Sequence, residues 1–217
     1  AVATGDEQYR FTTLYEELLK NTSAVVIAGT AIGGADKEVY SNLIRSAHER
    51  GIITILDAYS DHALEALSAG PSILKINRAE LANIAMRPVE TEDERIDVYR
   101  NLRKRYGVEW VIITSGSEGI EAFDGHVLAV ATVPSVTVVN SIGSGDAATA
   151  GLVKALAVVE GEKISKPLSL RKANLSRVVR YAAASGTANC LSMVPGSLTL
   201  DTFEQLCQKV NVSSRNI

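Results

Sequence analysis

The chain has 217 residues, a formal net charge of −3 and 46% hydrophobic residues, enough apolar material for one core, so a single domain over residues 1–217 is expected. The slight acidity, with no Lys/Arg run that resembles a basic arm, gives no electrostatic ground for a nucleic-acid partner, and no apolar run approaches the roughly 18 residues of a membrane span. The N-terminus AVATGDEQYR lacks a signal-peptide pattern, and Cys190 and Cys207 are too few for a disulfide framework, so a reducing cytoplasm is the expected location.

Along the chain, Phe11 to Lys20 (FTTLYEELLK) predicts an amphipathic helix. Ala24 to Gly29 (AVVIAG) is a short continuous apolar run, the pattern of a strand buried on both faces. Asp36 to Glu49 predicts a helix with Val39, Leu43, Ile44 and Ala47 on one face, ended by Gly51. Ile52 to Leu56 predicts the next strand, closing at Asp57; the short helix HALEAL and the strand Ser72 to Ile76 follow. Arg78 to Ala85 reads as a short helix, and Glu92 to Arg105 as a longer one with Thr91 as its N-cap. Trp110 to Thr114 predicts a strand, and Asp124-Gly125 marks a hairpin turn between Gly119 to Phe123 and His126 to Thr132. Val136 to Val139 is strand-like. Ser144 to Val159 and Leu170 to Cys190 read as buried helices, with the stretch Lys163 to Lys172 as surface loop and Leu200 to Gln208 as the last helix. This alternation with short connections predicts an α/β fold in three layers, a mainly parallel sheet between helices.

In open α/β sheets ligands bind outside the carboxyl ends of the strands, so the residues after each strand are the candidates. After Val136 to Val139 comes NSIGSGD. Gly143 and Gly145 let backbone amides approach a ligand, and a helix beginning there adds unpaired N–H groups and partial positive charge, which makes an anion hole. Asp146 would sit beside a bound phosphate and could take a proton from an attacking hydroxyl. The packing alternative is a tight turn followed by a favourable first-turn acid. Neither a Walker A loop nor a G-x-G-x-x-G fingerprint is present, since no Gly-Lys-Ser/Thr follows and Ala148 stands where a third glycine is needed. The second candidate is Ser115 to Gly119 (SGSEG): backbone and hydroxyl contacts to nucleotide phosphates, or an ordinary strand-to-hairpin connection. The third is KINRAEL, in which Asn77 and Glu80 lie three apart. They could order water around Mg²⁺, or serve as N-cap and capping-box acid; both can hold together. His48, His62 and His126 have no ligand spacing.

These three motifs, in this order, resemble the ribokinase-like (phosphofructokinase B) family of carbohydrate kinases. KINRAEL is similar to that family's Lys-Pro-Asn-x-x-Glu-Leu segment, VIITSGSEG to its strand and nucleotide loop, and NSIGSGDAATAGL to its Gly-x-Gly-Asp signature. The wording Asn-Ser-x-Gly-Ser-Gly-Asp-Ala is closest to the branch of 1-phosphofructokinases and tagatose-6-phosphate kinases. The resemblance implies Asp146 as catalytic base and Gly143, Ser144 and Gly145 as the anion hole for the transferring phosphoryl group. It implies Asn77 and Glu80 as the pair governing Mg²⁺ through water, and Lys75 facing phosphate. Ser115, Gly116, Ser117, Glu118 and Gly119 would form the nucleotide loop, and Ala184 and Asn189 would line the adenine pocket.

The implied activity is ATP-dependent phosphorylation of a sugar or sugar phosphate hydroxyl, with a ketohexose phosphate (fructose 1-phosphate, fructose 6-phosphate or tagatose 6-phosphate) ahead of ribose or a nucleoside. Ile76 replaces the family's proline, and TAIGG stands where this branch has Ser-Leu-Pro-Pro-Gly near the sugar. The chain is shorter than the family's members: the N-terminal strand-rich region, with its sugar-binding motifs and the β lid that forms the homodimer, is expected to be absent. A catalytically silent nucleotide-binding domain is therefore the rival expectation. A doubly wound dehydrogenase is the weaker third.

Overall fold

The computed structural model describes residues 2–158 and 168–217. Its strands are β1 (Ala24–Ala28), β2 (Ile53–Asp57), β3 (Ile73–Asn77), β4 (Trp110–Thr114), β5 (Ile120–Phe123), β6 (Val127–Thr132) and β7 (Asn211–Asn216). Its helices are α1 (Gly5–Leu19), α2 (Val39–His48), α3 (Asp61–Ala66), α4 (Arg78–Ala85), α5 (Glu92–Tyr106), α6 (Ser144–Ala157), α7 (Leu175–Cys190) and α8 (Leu200–Lys209). The strands form one seven-stranded sheet in chain order.

β1 to β4 run parallel because a helical crossover returns the chain to the same end each time. From β4 onward the pairing is antiparallel. Asp124-Gly125 reverses the chain there: Asp124 Oδ1 accepts from the amides of His126 and Val127 at 2.9 and 2.7 Å, and Gly125 takes a φ of +106°. The sheet is thus mixed rather than mainly parallel.

Alternate side chains of the central strands feed opposite faces. Ile53, Ile55, Ile73 and Ile112 pack with Ala148, Leu152 and Val178 of α6 and α7. Leu56, Leu74, Ile76, Val111 and Ile113 pack with Ile44, Leu81, Tyr99 and Leu102 of α2, α4 and α5. Burial on both faces is what makes these strands continuous apolar runs.

Several expectations are revised. β1 is an edge strand paired only to β2, and Val26 is 42% exposed rather than buried. Val136 to Val139 is not a strand: its last amide donates to the Cys190 carbonyl at 2.8 Å. The place beside β6 is taken by β7, which sequence reading missed because its residues, Asn211–Asn216, are mostly polar and exposed at the sheet's other edge. α1 begins earlier than expected, at a Thr4/Glu7 capping box. The helix expected from Leu170 is a single turn, Leu170–Lys172, followed by α7 with Asn174 as its cap. Val159 and residues 163–167 of the expected loop lie outside the described residues.

Candidate active site

The parallel register brings the carboxyl ends of β2, β3 and β4 to one edge of the sheet, with Asn77 paired to Thr114. α6 starts at the same edge, as its side-chain contacts show. Lys75 Nζ donates to Asp57 Oδ1 at 2.7 Å, and the Thr149 hydroxyl of α6 donates to Asp57 Oδ2. Lys75 is 3% exposed. It was expected to face phosphate, but it lies beneath the surface, its charge engaged by Asp57. A Cβ built at Gly145 would lie 3.9 Å from Lys75 Nζ, so the ammonium sits under the glycine turn.

That turn is held from outside by two asparagines. Asn140 Oδ1 accepts from the Ile142 amide at 3.0 Å, and its Nδ2 donates to the Met193 carbonyl at 3.1 Å. Asn189 Nδ2 donates to the Ile142 carbonyl at 2.9 Å, and its Oδ1 accepts from the Gly196 amide at 2.7 Å. Asn189 and Ala184 are both fully buried. Each was expected to line a pocket; neither offers surface to a ligand here. Asn189 instead ties the turn to the 190s loop, and Ala184 sits in the core beside α6.

Gly143 is the N-cap of α6, left-handed at φ +79°, with no capping side chain. By contrast, Thr4, Ser60, Asn77, Thr91, Asn174 and Thr199 each cap their helix through a side-chain oxygen. The first-turn amides of Gly145 and Asp146 are therefore left without a capping acceptor. Gly145 and Asp146 are exposed, and Ser144 is half-buried. An anion placed there would meet unpaired N–H groups and the positive helix end, beside a solvent-accessible carboxylate.

Asn77 and Glu80 form the capping box of α4: Glu80 Oε2 accepts from the Asn77 amide at 2.8 Å, and Asn77 Oδ1 from the Glu80 amide at 2.9 Å. Among the described residues, Glu80 Oε1 and Asn77 Nδ2 have no protein partner. One carboxylate oxygen thus stays available to a hydrated cation, while among the described residues no group of three or more His, Cys, Asp or Glu is placed to hold a metal by itself. Arg78, which sequence reading passed over, reaches from α4 to the loop after β4, with its Nη1 2.8 Å from Glu118 Oε2. Two of the motifs are thereby joined. Gly116, Ser117 and Glu118 form an exposed single turn. Gly119 (φ +107°) is required by the fold, since a Cβ there would meet the Ala131 carbonyl at 1.9 Å. Ser115 Oγ and Arg78 Nε are buried without a hydrogen-bond partner. Such groups cost about 1–3 kcal/mol each unless a ligand or water pairs them.

A larger cavity, about 840 Å³, lies between α1 and α2, lined by Tyr9, Phe11, Tyr15, Ile32 and Tyr40 among others. No residue of the three motifs lines it, though Ala31 and Ile32 of TAIGG do, and its described walls carry no Lys, Arg or His, so the strand-end cluster is the better candidate for an anionic ligand.

The profile described as pfkB family carbohydrate kinase matches residues 3–201. A tagatose-6-phosphate kinase of Staphylococcus epidermidis is 27% identical over 208 residues, covering 95% of this chain and 63% of its own length. Phosphofructokinase-2 from Escherichia coli in complex with potassium superposes with a TM-score of 0.81 at 23% identity, over 96% of this chain and 63% of that one. The tetrameric inhibited form of that enzyme gives a TM-score of 0.77 at 23% identity, over the same shares. These superpositions show a shared fold. The chain spans 63% of the length of the curated relatives it matches.

Proposed function

The chain belongs to the pfkB family of carbohydrate kinases, and on that premise we propose that it forms the nucleotide-binding part and the base of an ATP-dependent kinase acting on a hydroxyl of a sugar or sugar phosphate. The observation that carries the reading is the open first turn of α6. Its amides are uncapped, and Gly145 is a helical glycine that no neighbour requires, its nearest non-helix atom lying 3.9 Å from a would-be Cβ. A bare helix position costs stability relative to alanine, and room for an approaching anion gives that cost a purpose.

In this reading Asp146 takes the proton from the acceptor hydroxyl as its oxygen attacks the γ-phosphorus. The bond to the ADP oxygen breaks, and ADP carries away the displaced electron pair. The Gly143 to Gly145 turn, through the open amides of Gly145 and Asp146, stabilises the charge on the transferring group; such transition states are governed by position and electrostatics. Asn77 and Glu80 Oε1 would hold Mg²⁺ through water, and the bound ion would offset charge on the nucleotide phosphates. The donor set fits an outer-sphere site. Ser115 to Gly119 receive the nucleotide, and the unpaired Ser115 Oγ and Arg78 Nε are supporting observations.

A ketohexose phosphate is the acceptor we propose, supported by a relative named tagatose-6-phosphate kinase and neighbours named phosphofructokinase-2. A cytoplasmic location is proposed, with homodimer formation belonging to the full-length members of the family. Among the described residues no helix is long and apolar enough to cross a membrane. A second reading, a nucleotide-binding domain without turnover, is favoured by TAIGG standing where the resembling branch has Ser-Leu-Pro-Pro-Gly near the sugar.

A coupled ADP-release assay with Mg-ATP and each of fructose 1-phosphate, fructose 6-phosphate and tagatose 6-phosphate separates the two. Sugar-dependent turnover supports the kinase; nucleotide binding without it supports the second reading. Asp146→Asn is expected to lower turnover about 100-fold or more while sparing nucleotide affinity. A variant keeping a tenth of wild-type activity rules Asp146 out as the base.

A further inference from the structure

We infer that Asp57, Lys75 and Thr149 form a positioning device, a buried polar knot that sets the rotation of α6 and so aims its first turn. The proposal rests on the reading of that turn as the phosphoryl and base site. It concerns residues that do not touch the substrate.

Three elements meet in the knot. Asp57 ends β2, Lys75 lies within β3, and Thr149 is in the second turn of α6. Asp57 divides its two oxygens, Oδ1 to the Lys75 ammonium at 2.7 Å and Oδ2 to the Thr149 hydroxyl. The same hydroxyl lies 3.2 Å from the Gly145 carbonyl, so the contact reaches back into the first turn. Lys75 is 3% exposed, Thr149 4%, and the Asp57 side chain 14%.

Stability alone does not account for this arrangement. Burying an ion pair carries a desolvation penalty that its attraction often fails to exceed, and apolar residues of similar volume do as well or better. What the pair adds is direction. The rest of the sheet-facing surface of α6 is apolar, Ala148, Leu152 and Ala155 sharing one cluster with Ile53, Ile55 and Ile73, while Gly151 lets its other face approach Tyr181 and Ser185 of α7. Apolar burial is non-directional, and alanine surfaces offer little relief against rotation. Among the described residues, Thr149 to Asp57 is the only side-chain hydrogen bond from α6 to the parallel strands. Those strands carry Asn77 and, through α4, Glu80. The knot therefore registers the two parts of the proposed site against each other.

It also gives Lys75 a role that its burial permits. The ammonium lies under Gly145 and acts through the helix turn above it, held there by Asp57. Misplacing a reacting group by about 1 Å costs on the order of 100-fold in rate, so a small rotation of α6 would be visible in kcat.

The test uses Thr149→Val, which keeps the branched shape and loses the hydroxyl, with Thr149→Ser as the conservative rescue. Hydrogen exchange of the intact chain is read over residues 147–151 and over α7. Steady-state kinetics are read with Mg-ATP and the sugar phosphates named above. Valine is expected to speed exchange at 147–151 by about tenfold or more with α7 unchanged, and serine to restore it. It is expected to lower kcat by about tenfold or more at an unchanged KM for nucleotide, again with serine rescue. Unchanged exchange overturns the proposal, as does a kcat within about twofold of wild type, or a loss that serine fails to repair. If the wild-type chain turns over no sugar phosphate, the kinase reading falls, and the exchange result decides the positioning role on its own.

Discussion

Gly143 and Gly145 flank one serine, and their surroundings separate their duties. Gly143 has a φ of +79°, and a Cβ there would lie 2.7 Å from the Gly196 amide nitrogen. Strain and collision both require glycine. Gly145 is helical, and its nearest neighbour, Lys75 Nζ at 3.9 Å, is at ordinary contact distance. Gly145→Ala is therefore expected to hold or raise the melting temperature, since alanine exceeds glycine in a helix by up to about 1 kcal/mol. Its ADP release should fall about 100-fold through blocked approach of the phosphoryl group. Gly143→Ala should lose both. Thermal melts beside the coupled assay decide it: full activity in Gly145→Ala would return that glycine to a purely conformational role. Asn77 and Glu80 show the opposite case, in which the capping reading is realised in full and still leaves one carboxylate oxygen free.

The attachment of α5 to β5 puts a charge among four consecutive buried residues, Ile120–Phe123. Glu121 accepts from Arg95 Nε at 3.0 Å and Nη2 at 2.6 Å, and from the Tyr99 hydroxyl at 2.8 Å, while Arg95 Nη1 donates to the Glu90 carbonyl at 2.7 Å. Burial first, and the Glu121 charge second, push the Tyr99 phenol well above its ordinary range. Glu121→Gln would leave the Arg95 charge buried without its counter-ion, an expected cost of about 3–5 kcal/mol. Replacing both Arg95 and Glu121 by methionine should recover most of it. Urea unfolding of the single and double variants measures this, and a single variant within about 1 kcal/mol of wild type would count against a desolvated pair. Glu121 stands in an otherwise apolar strand, and its partners Arg95 and Tyr99 lie on another element.

For the molecule as a whole, a histidine at the opposite end of the sheet from the candidate site ties stability to pH. His48 Nε2 lies 2.8 Å from Thr54 Oγ1 and 3.4 Å from Ser72 Oγ, beside the residues that begin β2 and precede β3. Burial lowers its pKa below 6.5, with the Glu109 charge opposing. Unfolded, His48 binds a proton that the folded chain refuses. Its contribution to stability is therefore intact above pH 6.5 and is lost as the pH falls through that value toward the folded pKa. Urea midpoints on either side of pH 6.5 should differ in that direction, and His48→Gln should flatten the difference. A slope unchanged in the variant would assign it to other groups.

Helices, strands, the Thr91 and Asn77 caps, the Asp124-Gly125 reversal and the glycine turn before Asp146 were legible in the sequence because each depends on periodicity or on residues a few positions apart. So was the α/β class, since buried parallel strands have to be continuously apolar. The exposed edge at β1, the polar strand β7 and the loss of Val136 to Val139 as a strand were decided by which strand neighbours which, and no local pattern carries that. The same holds for Lys75, which the family resemblance set facing phosphate and whose partner is Asp57, and for Thr149, which meets Asp57 across 92 positions. Contacts of that range exist only after the crossovers have stacked the strand ends under α6. Local chemistry therefore determined which groups this chain offers, and tertiary packing decided which are exposed, which are engaged by a neighbour, and which hold the others in place.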